Sequence, residues 1–490
     1  GGGGGGGGST PPAPTYTPGV FPPSEDFRYL CVNPPANLPG SPGTRTDENN
    51  WLRSWSNELY LWYDEIVDRN PADFTTPTYF DLQKTEALTA SGAAKDRFHF
   101  TIPTEEWIAL SQSGESAGYG ARFELLAATP PREVVVAYVD AGTPAANAAL
   151  ARGTAIIAIN GEDVATTANV DLLNAALFPD EAGQTFTFTV RDNGSTTTRD
   201  VSLTSAIITT DPVNVVSTLS TATGEVGYLS FTDHIATSEA QLIAAVEAFA
   251  SAGISDLIVD LRYNSGGFLD IANELAFMIA GPANAGGQVF DEIQFNDKYP
   301  TRNPVTNEPL APDLFHSTTQ GFSTTPGIPL PVLNLNRVFI LSTASTCSAS
   351  EAIINGLTGI DVEVIQIGTT TCGKPYGFYA FDNCGTSYFS IQFRGVNAKG
   401  FGDYTDGFSP IDVNGIEGVP LPGCEVADDL TRALGDPAER MLATALSYRE
   451  TGGCPIQPTT ASRPAQLRKL PADDSQAISK PQLPGTVRLP

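Results

Sequence analysis

Short, almost wholly apolar runs, separated by small-residue turns and by stretches of helical periodicity, constrain this chain most, and they fall between residues 208 and 454. Gly227 to Phe231, Leu257 to Leu261, Arg337 to Leu341 and Val362 to Ile367 read as strands. Apolar runs this short, bounded by turn residues, fit buried strands better than helices, which need about 10 residues or more. Between them, Ser238 and Gln241 are spaced as a capping box opening a helix whose Leu242, Val246 and Phe249 share one face, and Ile271 to Ile279 reads as a second helix. Such alternation predicts a mixed α/β, multidomain chain with an α/β core.

Ahead of this core, residues 113–207 carry a β-rich pattern. Val134 to Val139 and Thr185 to Val190 read as strands, Pro144 to Leu150 as a short helix, and Gly153 to Ile159 leads into an Asn160-Gly161 turn. The block opens on the loop Gly118-Tyr119-Gly120-Ala121-Arg122-Phe123. Loop and pattern together resemble a PDZ domain of the bacterial protease type. The resemblance implies that Gly118, Tyr119, Gly120 and Phe123 belong to a peptide-binding loop, whose backbone N–H groups receive a carboxylate while the peptide adds a strand. In residues 25–112, Trp51, Trp55, Leu59 and Trp62 recur at helical spacing, which predicts an amphipathic helix in an N-terminal helical domain. Residues 1–24, Gly-rich and then Pro-rich, read as a flexible tether, and residues 455–490, rich in Pro, Ser, Ala and Gln, as a disordered tail.

The 55 acidic and 27 basic residues give a net charge of −28, which repels phosphate backbones and argues against nucleic acid as a partner. Only 17% of residues are charged, so the surface is expected to be rich in Ser, Thr, Asn and Gly, as in exported proteins. No apolar stretch approaches the roughly 20 residues that span a bilayer. A Gly run at a mature N-terminus points to a lipid anchor upstream of Gly1 and to a periplasmic or cell-surface location. The six cysteines, Cys31, Cys347, Cys372, Cys384, Cys424 and Cys454, form no C-x-x-C pair and do not cluster with the three histidines. Disulfides are therefore expected and a metal site is not. Sequence proximity favours Cys372 with Cys384 and Cys424 with Cys454.

Chemistry concentrates at three turns. After the strand ending at Leu341, the segment Ser342-Thr343-Ala344-Ser345-Thr346-Cys347-Ser348-Ala349-Ser350-Glu351 leads into a helix from Ala352 to Leu357. A serine at a strand-to-helix turn exposes its hydroxyl beside helical N–H groups that favour a developing negative charge; the same hydroxyls could equally cap the helix. Twenty-six residues on, Thr371-Cys372-Gly373-Lys374-Pro375 follows an apolar strand. A lysine desolvated there could act as a general base, whereas on the surface it would be an ordinary solvated cation. The stretch nearly spells a phosphate-binding loop, but Pro375 stands where a hydroxyl should meet magnesium, and Phe378 to Phe381 reads as a strand. The third turn, Asp260-Leu261-Arg262-Tyr263-Asn264-Ser265-Gly266-Gly267, ends a buried strand with two glycines whose N–H groups could face a ligand.

In this order the three turns resemble the C-terminal-processing (tail-specific) serine peptidases, over roughly residues 110 to 420. The resemblance implies a peptidase core of that type in residues 208–454, with Ser348 as nucleophile and Lys374 as its base. Gly266 or Gly267 and Ala349 would form the oxyanion hole, Arg262 and Glu351 would support the site, and Thr371 would orient the lysine amine. It further implies acyl transfer on polypeptides with accessible, apolar C-termini, without metal or organic cofactor, in an exported, disulfide-bonded, lipoprotein-like subgroup. Many members carry glutamine four residues after the lysine, where this chain has Phe378.

Other assignments compete with this one. A histidine base would require His234, since His99 and His316 read as structural or surface residues, and Asp233 would point away from its ring. Cys347 as nucleophile lacks an accompanying histidine motif, and a disulfide would consume its thiol. A catalytically inactive peptide-binding scaffold of the same fold is the non-enzymatic alternative. The number of chains in the assembly is left open by the sequence.

Overall fold

The computed structural model describes residues 15–411, 418–456 and 486–488. Most of the expected tether and most of the expected tail lie outside the described residues.

Helix α1 (Arg45–Leu59) is opened by a true capping box, in which Thr44 and Asp47 each satisfy the other's backbone N–H. Trp51 and Trp55 stack at 5.0 Å on its buried face and pack against Tyr388. Trp62 does not share that face: the helix stops before Tyr60, and the Trp62 ring meets Tyr376 edge-on at 4.9 Å. The N-terminal segment is bound into the later chain by the Cys31–Cys384 disulfide and by the antiparallel pairing of Phe100–Pro103 with Thr386–Phe389.

The β-rich block is an antiparallel sheet of β1 (Ala121–Ala127), β2 (Glu133–Val139), β3 (Ala155–Ile159), β4 (Thr185–Arg191) and β5 (Arg199–Thr204), in spatial order β5-β4-β3-β2-β1. Its core gathers Tyr119, Phe123, Val136, Ile159, Phe188 and Leu203. Asn160 and Gly161 both take positive φ, 50° and 84°, as a tight hairpin turn requires. Helix α2 (Val170–Leu177), which the sequence reading missed, lies across this core through Leu173, Ala176 and Leu177. This is the PDZ-like, β-rich domain expected from the loop and the pattern. It docks on the following domain through Arg122 Nη2, which donates to the Tyr263 carbonyl at 3.3 Å, and Arg152 Nη2, which donates to Asp428 Oδ1 at 2.6 Å.

The third unit is built on a six-stranded sheet. Strands β6 (Val213–Thr221) and β7 (Gly224–Phe231) form an antiparallel hairpin. From β7 onward every neighbour is parallel: helix α3 (Ser238–Ala252) leads to β8 (Asp256–Asp260), helix α4 (Leu269–Ala285) follows, then β9 (Arg337–Ser342), helix α5 (Ala349–Gly359) and β10 (Glu363–Gly368). Strand Gly423–Glu425 closes the far edge. The apolar runs are thus central strands covered on both faces, which is why they carry no alternation of polar residues. At the start of α3 the expected capping box is absent. Ser238 Oγ instead donates to the Asp233 carbonyl at 2.6 Å, and Gln241 Oε1 accepts from the Val213 N–H. A second, mostly antiparallel sheet packs beside the first and contains β11 (Tyr376–Tyr379), flanked on one side by Phe393–Val396 and on the other by β12 (Thr486–Arg488). That last strand lies within the stretch expected to be disordered.

The disulfides join Cys31 to Cys384, Cys347 to Cys372 and Cys424 to Cys454. The expected Cys424–Cys454 bridge is present; the expected Cys372–Cys384 bridge is not. Parallel β9 and β10 bring the turns that follow them together, and this sets Cys347 beside Cys372.

Candidate active site

Strands β9 and β10 are hydrogen-bonded neighbours, so the turns leaving their C-terminal ends emerge side by side, as ligand-binding loops of parallel sheets commonly do. Ser348 sits in the first, immediately before α5, with φ 58° and ψ −110°. Only the surrounding structure can hold a non-glycine residue in that sparsely populated conformation, which is a recurring feature of functional turns. Lys374 leaves the second turn, just ahead of β11, and is 3% exposed.

Glu351 ties the two turns together. Its buried carboxylate accepts from the Ser348 N–H at 2.9 Å and the Lys374 N–H at 2.8 Å through Oε2, and from the Gly373 N–H at 2.8 Å and the Thr371 hydroxyl through Oε1. Burial pushes the Glu351 carboxyl up from its ordinary range, and these hydrogen bonds pull against that shift. The Cys347–Cys372 bond closes the same two turns covalently.

Burial brings the Lys374 ammonium down to about 7; the negative charges of Asp96 and Glu351 oppose that shift and the positive charge of Arg97 assists it. The amine has no ion-pair partner among the described residues. Its Nζ lies 4.3 Å from the Phe378 ring centroid and 4.8 Å from that of Phe98. Phe378 therefore occupies the amine's surroundings where many tail-specific peptidases place glutamine. Asp96, Arg97 and Phe98 come from the N-terminal segment, and Arg97 Nη2 also donates to the Cys372 carbonyl. The sequence reading missed these three, since only the tertiary fold brings them to the site.

The glycine turn completes the site. Gly266, at φ 106°, approaches Ser348 so closely that a Cβ there would stand 3.0 Å from both Ser348 Cβ and Ala349 N. At Gly267, φ 139°, a Cβ would collide with the His234 carbonyl at 2.2 Å. The Gly266 N–H is already taken by Asn264 Oδ1 at 2.9 Å, so of the two glycines only Gly267 retains a candidate oxyanion donor. The Gly267 and Ala349 N–H groups find no protein acceptor among the described residues. Asn264, inside the motif but not singled out from sequence, organises this turn. Its carbonyl accepts from the Cys347 N–H and the Ser350 hydroxyl, while its Nδ2 donates to the Phe231 carbonyl.

His234 braces the same residue: its Nδ1 donates to Asn264 Oδ1 at 2.9 Å, and complete burial depresses its pKa to about 3, which keeps the ring neutral. Its Nε2 has no hydrogen-bond partner among the described residues, and the ring supports the turn through Nδ1. Thr371 does not orient the lysine amine as expected; its hydroxyl donates to Glu351 and accepts from the Phe408 N–H at 2.8 Å. Arg262 acts from below, where its guanidinium is enclosed by Asp260, Asp428 and Glu439, while Thr343 donates to its carbonyl. Tyr119 and Phe123 of the PDZ-like loop turn their side chains into that domain's core, and Tyr119 donates to the Ala176 carbonyl at 2.9 Å. Any contact of Gly118, Tyr119, Gly120 or Phe123 with a peptide would therefore have to come through the backbone.

Fold and turns together define the class: an α/β peptidase core of the tail-specific type, preceded by a PDZ-like domain. Residues 225–378 match the family described as Peptidase family S41. Over 203 residues it is 28% identical to the Carboxyl-terminal-processing protease of Picosynechococcus sp. (strain ATCC 27264 / PCC 7002 / PR-6), a match covering 41% of this chain and 47% of that protein. The chain thus spans about half the length of that curated relative. A solved structure assigned to the S41 proteases of Bacteroides fragilis NCTC 9343 has a similar fold, with a TM-score of 0.59 and 23% identity, covering 82% of this chain and 97% of that one. No described helix is long and apolar enough to cross a membrane.

Proposed function

We propose that the chain is a serine peptidase that cleaves polypeptides near accessible C-termini by acyl transfer, with Ser348 as nucleophile and Lys374 as general base. The observation that carries this reading is the desolvated Lys374 amine, brought down to about 7, on a turn tied through Glu351 and the Cys347–Cys372 bond to the strained Ser348 turn. Ser348 Oγ attacks the scissile carbonyl carbon while neutral Lys374 takes the hydroxyl proton. The oxyanion is received by the N–H groups of Gly267 and Ala349. As the intermediate collapses, Lys374 returns the proton to the leaving amine, and a water activated by the same amine then releases the acyl group.

The PDZ-like domain, whose edge strand β1 carries the Arg122 contact to the glycine turn, selects the substrate's C-terminal end by strand addition. Three disulfides suit an oxidising compartment, so the protein acts outside the cytosol.

The test is hydrolysis of an unfolded protein such as casein by the wild-type chain, Ser348→Ala and Lys374→Ala. Loss of turnover in both variants with unchanged folding supports the assignment. Full activity of Lys374→Ala would overturn the base, and no cleavage by the wild-type chain, with a peptide captured equally by Ser348→Ala, would support the scaffold alternative.

A further inference from the structure

We infer that the outer edge of β11 is a polypeptide-binding edge, and that the chain's own C-terminal strand β12 occupies it in cis, in competition with substrate. The inference rests on the peptidase reading, because it makes the edge beside Lys374 part of the substrate path. Strand β12 runs parallel to β11, with Gly377 opposite Thr486, Phe378 opposite Val487 and Tyr379 opposite Arg488. The pairing thus begins three residues after Lys374 and centres on Phe378, whose ring lies 4.3 Å from the amine.

The backbone of β11 explains why this edge needs an occupant. The Gly377 carbonyl accepts from the Gln392 N–H, and the Tyr379 N–H and carbonyl are both bonded by the Gln392 side chain. Since strand groups alternate sides, Phe378 directs its N–H and C=O to the opposite edge, where β12 lies. Phe378 is fully buried, and a buried backbone amide left unpaired is costly, so this edge requires a strand from the chain or from a ligand. Recognition through the backbone tolerates many sequences, as a peptidase for polypeptide ends requires.

Charge favours the chain's own tail as occupant. Residues 457–490 carry Arg463, Arg468, Lys469, Lys480 and Arg488 against only Asp473 and Asp474, whereas the whole chain has a net charge of −28. A basic segment tethered to an acidic body is drawn back onto it, and tethering gives it an effective concentration on the order of millimolar.

Arg488→Pro in the full chain removes the N–H that, in this parallel register, donates to the Phe378 carbonyl. It should lower the KM for casein by about 3- to 10-fold with kcat unchanged, as expected when a competing state is depopulated. The peptide Gly-Thr-Val-Arg-Leu-Pro, added in trans, should inhibit that variant competitively. In a Ser348→Ala background, the Phe378 amide should exchange at least about 10-fold faster with Arg488→Pro than without it. Unchanged exchange overturns the pairing, and faster exchange with unchanged KM overturns the competition. If neither chain cleaves casein, the peptidase reading fails by itself, while the exchange comparison still decides whether β12 occupies the edge.

Discussion

The backbone N–H groups of Ser348 and Lys374 converge on one carboxylate oxygen, Glu351 Oε2, at 2.9 and 2.8 Å. A residue at the third position of α5 therefore sets both the entry of the serine into its helix and the start of the strand that follows the lysine. This relationship makes Glu351 a positioning residue whose removal should disturb both partners together.

Glu351→Gln keeps the shape but turns one acceptor oxygen into a donor facing N–H groups. The variant should lose about 2–4 kcal/mol of stability and at least about 100-fold in kcat/KM, measured by denaturant unfolding and casein hydrolysis. Near-wild-type values for both would remove Glu351 from this role.

The pH dependence follows from Lys374, held at about 7 by burial. The proposed mechanism needs a neutral base, so activity should be lost as pH falls below that value and gained as pH rises through it. The profile of kcat/KM should climb about tenfold per pH unit below 7 and level off above about pH 8. A flat profile between pH 5 and 9 would contradict the lysine as base.

Phe98 helps to keep water from the amine, with its ring centroid 4.8 Å from Nζ. Phe98→Ala should admit solvent and return the lysine toward its ordinary value near 10.4, which moves the midpoint of the pH profile up by about one unit or more. A drop in activity with no shift of the midpoint would reduce Phe98 to packing alone.

The Cys347–Cys372 bond closes a loop with a sequence separation of 25 residues, which in the chain-entropy account contributes about 3 kcal/mol. Replacing both cysteines by serine should lower the unfolding free energy by about that amount and reduce kcat more than it raises KM, because the Ser348 and Lys374 turns lose a shared anchor. Equal kcat in the variant and the wild-type chain would show that Glu351 alone suffices.

At Gly266 any side chain meets Ser348 Cβ and Ala349 N at 3.0 Å, on a backbone at φ 106° that L-residues rarely adopt. Gly266→Ala should therefore displace the Gly267 donor and cut kcat by about 100-fold or more, with KM little changed. An equal loss in kcat and gain in KM would point to a collapsed pocket.

Much of the core was legible in the chain because it rests on local rules. Apolar runs such as Leu257 to Leu261 and Val338 to Leu341 specify buried strands by length and composition, and the helical periods between them specify the layers that cover them. The serine turn, the lysine turn and the paired glycines were readable for the same reason, since each is a short stretch whose residue types dictate its conformation. Helix α2 was missed because eight residues of mixed character give too short a period to recognise. The capping box at Ser238 failed because the fold offers Gln241 a different partner, the Val213 N–H.

Tertiary structure alone decided the partnerships between distant residues. Sequence proximity paired Cys372 with Cys384, but parallel β9 and β10 set Cys347 beside Cys372 and left Cys384 to Cys31, 353 residues away. It was likewise packing that laid Asp96, Arg97 and Phe98 over Lys374, assigned Thr371 to Glu351, and gave His234 to Asn264. Spacing along a chain carries period and turn chemistry; it carries no information about which buried donor will meet which acceptor once separate elements close on one another, and at this site that closure is also what buries the Lys374 amine and lowers its pKa.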